Sequence, residues 1–177
     1  MQGVYFICFT LFGVTQTCSF LAPGSLLKIY LHRIKLRPLY NEGFGKVLMS
    51  QNHLNLVVVN NVPLFFNIRD GPYMPTLRPL HQYPDIMKKF QVDRSAIKFV
   101  LSRANIMCPG LTSPGGVLDD EVEEETPMAI MAEGKQHALA IGYTKMPAKD
   151  IRTINKGIGV DNMHYLNDGL WKMERLE

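Results

Sequence analysis

Only three cysteines occur in the 177 residues, and Cys8, Cys18 and Cys108 stand far apart with no CxxC pair. That scarcity excludes a disulfide framework and a thiolate zinc site, and it suits a reducing compartment. The five histidines (His32, His53, His81, His137, His164) share no ligand spacing with one another or with cysteine. No metal and no cofactor is expected. Also absent are a Walker loop, GxGxxG and GxSxG, the motifs that would announce nucleotide or hydrolase chemistry. Cys108 could act as a nucleophile only beside a base, and neither His137 nor His164 stands in a motif relation to it, so no catalytic residue is expected. The first 27 residues contain no charge at all. Their core, VYFICFTLFGV, has the composition of a signal-peptide core, but no basic n-region precedes it and no small-x-small site follows. It is also short for a spanning helix. A membrane partner is not expected, and neither is a small-molecule substrate.

What is present is charge, unevenly placed. Six of the 16 acids lie in DDEVEEE, Asp119 to Glu125, which reads as a solvated loop. The remaining ten acids face 19 bases, an excess that suits a polyanionic partner. Two stretches concentrate it. Residues 86–103 hold Lys88, Lys89, Arg94, Lys98 and Arg103 against Asp93, and residues 143–156 hold Lys145, Lys149, Arg152 and Lys156 against Asp150.

Along the chain, LNLVVV and VPLFFNI are β-rich runs joined by Asn60-Asn61, a pair suited to a hairpin turn. Next come a turn, RDGPYMPTL, and a helical LRPLHQYPDIMKKF interrupted by Pro79 and Pro84. A domain boundary is expected near Phe90–Gln91. Asp93 is a good N-cap for RSAIKFVLSRA, in which Ile97, Val100, Leu101 and Ala104 make one buried stripe and Phe99 pairs with Arg103 on the outside. ANIM, PMAIMAE, HALAIGYTK and NMHYL read as short strands, the middle two turning at Gly134-Lys135. Between the last two lies a helix, PAKDIRTINKG, started at Pro147 and stopped at Gly157. Ile106, Ile130, Ala140 and Trp171 are core candidates. Short strands with two small helices imply a partly closed β-barrel of the α+β class.

AIKFVLSRANIMCPGLTSPGG, AIMAEGKQHALAIGYTKM, INKGIGVDNMHYLNDGLWKM and the earlier LFFNIRDGPYMPTLRPLHQYPDIM together resemble the malignant T-cell-amplified sequence family, in detail its plant members. The resemblance covers roughly Gln51 to Lys172. It implies a C-terminal PUA pseudobarrel, an RNA-binding fold, over residues 91–172, preceded by an incomplete α/β pre-PUA domain at 51–90. A divergent apolar and basic N-terminus at 1–50 and a tail at 173–177 flank them. It further implies a cytoplasmic, non-catalytic subunit that pairs with density-regulated protein. The pair binds the small ribosomal subunit and tRNA or rRNA, in reinitiation and in post-termination tRNA release. A PUA accessory module of RNA modification is the alternative reading. Carried over by position, the RNA face comprises Lys98, the elbow Arg103, Ala104 and Asn105, and the turn Cys108, Pro109, Gly110 and Leu111.

Two departures from the family pattern stand out. The family usually has glycine where Arg103 stands, so a positive φ there would be strained and the side chain is expected to obstruct close RNA approach. Residues 1–50 share nothing evident with the family's polar, lysine-containing start. They are expected to be a substituted N-terminus from an alternative transcript or a gene-model error, lying upstream of NHLNLVVVNN.

Overall fold

The structure is a computed structural model and describes residues 7–8, 46–49, 54–68 and 71–175. The expectations for residues 1–50 fall outside the described residues, save for the backbone of two strand fragments. The chain divides into two compact units, residues 1–75 with 173–177, and residues 76–172.

In the first unit, β1 (Ile7–Cys8), β2 (Lys46–Met49), β3 (Leu54–Val59), β4 (Val62–Ile68) and β5 (Met74–Pro75) form an antiparallel sheet in that order. The predicted hairpin is β3–β4. Val59 faces Val62, and Asn60 and Asn61 both take left-handed φ, 52° and 63°, as a two-residue turn matched to strand twist requires. Leu56 and Val58 alternate inward from β3, and Phe65, Phe66 and Met74 are buried with them.

The second unit runs α1 (Leu77–Gln82), β6 (Lys89–Val92), α2 (Arg94–Leu101), β7 (Ile106–Met107), α3 (Cys108–Thr112), β8 (Pro127–Ala132), β9 (Ala138–Thr144), α4 (Ala148–Ile154), β10 (Ile158–Tyr165) and α5 (Gly169–Lys172). Its sheet has the order β6-β8-β9-β10-β7. β6 lies parallel to β8, with Phe90 opposite Ile130, and the other pairings are antiparallel. This is the expected α+β class, a curled mixed sheet with short helices. The two small helices expected in the barrel are α2 and α4, α1 is the start of the expected helix at Leu77, and α3 and α5 are added to them.

Burial explains the strand order. ALAIGYT in β9 is apolar almost without break, which suits the middle strand of the sheet, and six of its seven residues are buried. Gly142 is required there, because a Cβ would overlap Val160 Cγ1 and Asp161 O where β10 slips register. Phe90, Ile106, Ile130, Ala140 and Val160 meet in the core. The acidic loop is solvated as expected, but Val122 plugs it into that core. Thr144 Oγ1 fixes its base, accepting from Thr126 N and donating to Glu123 O, both at 2.8 Å.

Several sequence expectations are corrected. The helix starting at Leu77 stops at Gln82, and KFQV beyond Pro84 is strand β6 with Phe90 and Val92 pointing inward. Two-residue alternation there outweighs the helical signal, and the Phe90–Gln91 boundary falls inside this strand. In α2 the inward face is centred on Val100 and Ala96, with Ile97 at its edge, and Leu101, turned about 100° from Val100, falls on the exposed side. α4 is stopped by Asn155 at φ 47°, two residues ahead of Gly157. Trp171 is not core. It sits half-buried on α5 with the Arg78 guanidinium 5.1 Å from its ring centre and Arg78 Nη2 donating to its carbonyl at 2.6 Å, a bracket between α5 and α1.

Candidate nucleic-acid interface

The predicted RNA face is built where α2 ends. Asp93 caps the helix start, its Oδ1 accepting from Ala96 N at 2.8 Å, and its own amide donates to Gly110 O at 3.0 Å. That second bond ties α2 to α3, and Gly110 permits it: a Cβ there would stand 3.1 Å from Ala96 Cβ. At the other end of α2, Arg103 N donates to Val100 O and Ala104 N to Phe99 O, at 3.1 and 3.0 Å. This pair of bonds is the Schellman arrangement, which puts the residue after the cap in the left-handed region. Arg103 occupies that place with φ 68°. The positive φ anticipated at the elbow is present, and a residue with a Cβ holds it.

The eight expected residues separate by exposure. Lys98, Arg103, Asn105 and Pro109 are exposed, Ala104 and Gly110 half-buried, and Cys108 and Leu111 buried. Cys108 Sγ points inward, 3.5 Å from Lys156 O, and burial pushes its thiol up, away from the reactive thiolate. Only backbone atoms of Cys108 and Leu111 could meet a ligand. Asn105 is exposed but engaged. Its Nδ2 donates to Asp161 Oδ1 and its Oδ1 accepts from Asn162 N, both at 3.0 Å. Phe99 is 53% exposed, and its cation is Lys98, with Nζ 4.9 Å from the ring centre, instead of the expected Arg103. The helix ends before Arg103, so helical (i, i+4) spacing no longer applies.

Charge sorts the bases further. Lys88, Lys89, Arg94, Lys145 and Arg152 pair with Asp119, Asp85, Glu133, Asp161 and Asp120. Lys98, Arg103, Lys149 and Lys156 have no acidic partner among the described residues. Hydrogen bonding to Asp161 and its charge push the exposed Lys145 ammonium up, so it stays protonated. Lys156 stands beside α3, since Cys108 N donates to Gly157 O at 3.0 Å. Unpaired cations therefore bracket both ends of β7. Between them Met107 and Ile158 are opposed in register and both exposed, an apolar pair that sequence pattern did not single out. The inward Ile106 hinted at it, since its strand neighbour must face out.

The sequence of residues 88–166 matches the PUA domain, and residues 33–84 match the Pre-PUA-like domain, a match that begins upstream of residue 51. The fold agrees. A hypothetical protein from Pyrococcus horikoshii aligns with a TM-score of 0.63 at 22% identity, over 83% of this chain and 95% of that one. A conserved PUA domain protein from Thermoplasma acidophilum aligns with a TM-score of 0.60 at 17% identity, over 84% and 95%. The chain is thus a PUA-domain protein with a pre-PUA partner domain. Malignant T-cell-amplified sequence 1-A of Xenopus laevis is 59% identical over 129 residues, 73% of this chain and 71% of that protein. The Dictyostelium discoideum homolog is 58% identical over 127 residues, 72% and 70%, and the human malignant T-cell-amplified sequence 2 is 56% identical over 129, 73% and 71%. The chain belongs to the malignant T-cell-amplified sequence family. That membership and the PUA domain support an RNA-binding role connected with translation. No helix among the described residues is long and apolar enough to cross a membrane.

Proposed function

We propose that this chain is a non-catalytic, cytoplasmic translation-factor subunit that pairs with density-regulated protein and binds RNA on the small ribosomal subunit. It acts in reinitiation and in the release of deacylated tRNA after termination. The observation that carries the RNA part is the pair of exposed cations without acidic partners among the described residues, Lys98 and Lys156, on either side of an elbow that takes positive φ at Arg103. Phosphate contacts of this kind position a nucleic acid without reading its sequence. Lys98, the Arg103–Ala104 backbone, Pro109 and the exposed Met107–Ile158 pair form the face; Cys108, Gly110 and Leu111 shape the turn beneath it.

The test is co-purification with tagged density-regulated protein, followed by sedimentation of the pair with small subunits and filter binding of tRNA. Joint sedimentation, and tRNA binding that weakens steeply with salt, is the expected result. A chain that binds tRNA but neither partner nor subunit would overturn the translation reading. Substituting an ordinary family N-terminus measures what residues 1–50 contribute to pairing.

A further inference from the structure

The elbow is held from outside by side chains of β10. Asn162 Nδ2 donates to Val100 O at 2.9 Å and to Ala104 O at 3.1 Å, so one amide grips both the last turn of α2 and the residue after Arg103. Its Oδ1 is buried and takes no hydrogen bond among the described residues, so the two carbonyls alone set the amide's orientation. The backbone of Asn162 is gripped in return, because Asn162 N donates to Asn105 Oδ1. Pairing of β7 with β10 ends at Val160 and Ile106, and the Asn105 side chain continues the ladder one step beyond it. Asn105 Nδ2 then donates to Asp161 Oδ1, whose other oxygen lies 2.9 Å from Lys145 Nζ. Four hydrogen bonds and an ion pair thus run from Lys145, just past β9, through β10 to the elbow.

Resting on the RNA reading above, we propose that Asn105 and Asn162 are positioning residues, a latch that presents the elbow to RNA without touching it. The elbow needs such a latch. Its left-handed residue is an arginine, which relaxes toward right-handed backbone unless its neighbours forbid it. Both donors of Asn162 lie on the carbonyls that would move in that relaxation. The latch bonds are polar and partly exposed, so they contribute little to overall stability and much to local geometry.

The test exploits the reciprocity of the Asn105–Asp161 pair. Asn105→Asp sets two carboxylates against each other. Asn105→Asp combined with Asp161→Asn restores the hydrogen bond with donor and acceptor exchanged, at the net charge of the natural chain. It gives up only the exposed Lys145–Asp161 ion pair, whose own contribution Asp161→Asn alone measures. Asn162→Asp removes both donors from the carbonyls while keeping the side chain's shape. Binding of a fluorescent tRNA is measured for each full-length protein, with amide hydrogen exchange at residues 102–105. Asn105→Asp and Asn162→Asp are expected to weaken binding about tenfold and to speed elbow exchange. The exchanged pair is expected to return within about twofold of the natural chain in affinity, as double-mutant coupling requires.

Binding by the exchanged pair as weak as by Asn105→Asp alone would make Asn105 a direct contact and overturn the latch. Elbow amides no faster in Asn162→Asp would overturn it independently of RNA. A natural chain that binds no tRNA would refute the RNA reading instead, leaving the exchange result to judge the latch.

Discussion

Replacing Arg103 by glycine probes the elbow most directly. Arg103 holds φ 68° at the end of α2, its side chain is exposed, and it has no ion pair among the described residues. A residue with a Cβ loses roughly 1–2 kcal/mol in the left-handed region. Glycine returns roughly 0.5–1 kcal/mol of that gain through the greater freedom of its unfolded chain. The net stabilisation is about 0.5–1 kcal/mol, a rise in Tm of roughly 1–4 °C for a chain of this length. Thermal melts by circular dichroism measure it. The same change clears the elbow, so tRNA binding should tighten by roughly 2- to 10-fold, the value of one newly reachable backbone hydrogen bond. A Tm that stays level or drops would refute the strain argument. Weaker binding with a salt slope shallower by about 0.7 would refute obstruction and make Arg103 a phosphate contact.

Two further outcomes follow from buried groups in the same unit. Thr144→Val strips the hydroxyl from the base of the acidic loop, leaving Thr126 N and Glu123 O without their partner. It should cost about 1–3 kcal/mol in urea unfolding, while Thr144→Ser should cost less than half as much. Burial raises the Asp168 carboxyl, but hydrogen bonds from His164 Nδ1 and the amides of Trp171 and Tyr165 outweigh it and hold the group below the usual carboxylate range. A carboxylate lowered on folding stabilises fully above its unfolded value, and that contribution is lost as pH falls through the lowered one. Tm of the natural chain should therefore fall more steeply below about pH 4 than that of Asp168→Asn, measured by melts across acid pH; parallel curves would refute the link.

Local chemistry was enough to read some elements from sequence. The Asn60-Asn61 hairpin, the Asp93 cap and the turn at Gly134 each depend on two or three neighbouring residues, whose conformational preferences act before any packing. The excess of base outside one acidic run suited a polyanionic partner without identifying it. The family resemblance carried the fold, because long runs of residues were matched together.

The tertiary structure decided which of those residues face solvent, which face the core and which hold one another. Cys108 and Leu111 turn inward because α3 packs on the strand start at Gly157–Gly159, a contact distant in sequence. KFQV became a strand because β8 offered it a parallel partner some forty residues on. Asn105 stands far from β10 in sequence, and the fold alone brings Asp161 and Asn162 against its side chain. Charge followed the same rule: nine bases looked alike in sequence, and folding gave five of them acidic partners, of which only Asp85 is a near neighbour in sequence of its base. A hydrogen bond or an ion pair depends on both partners' positions, and for residues fifty apart the fold alone supplies them.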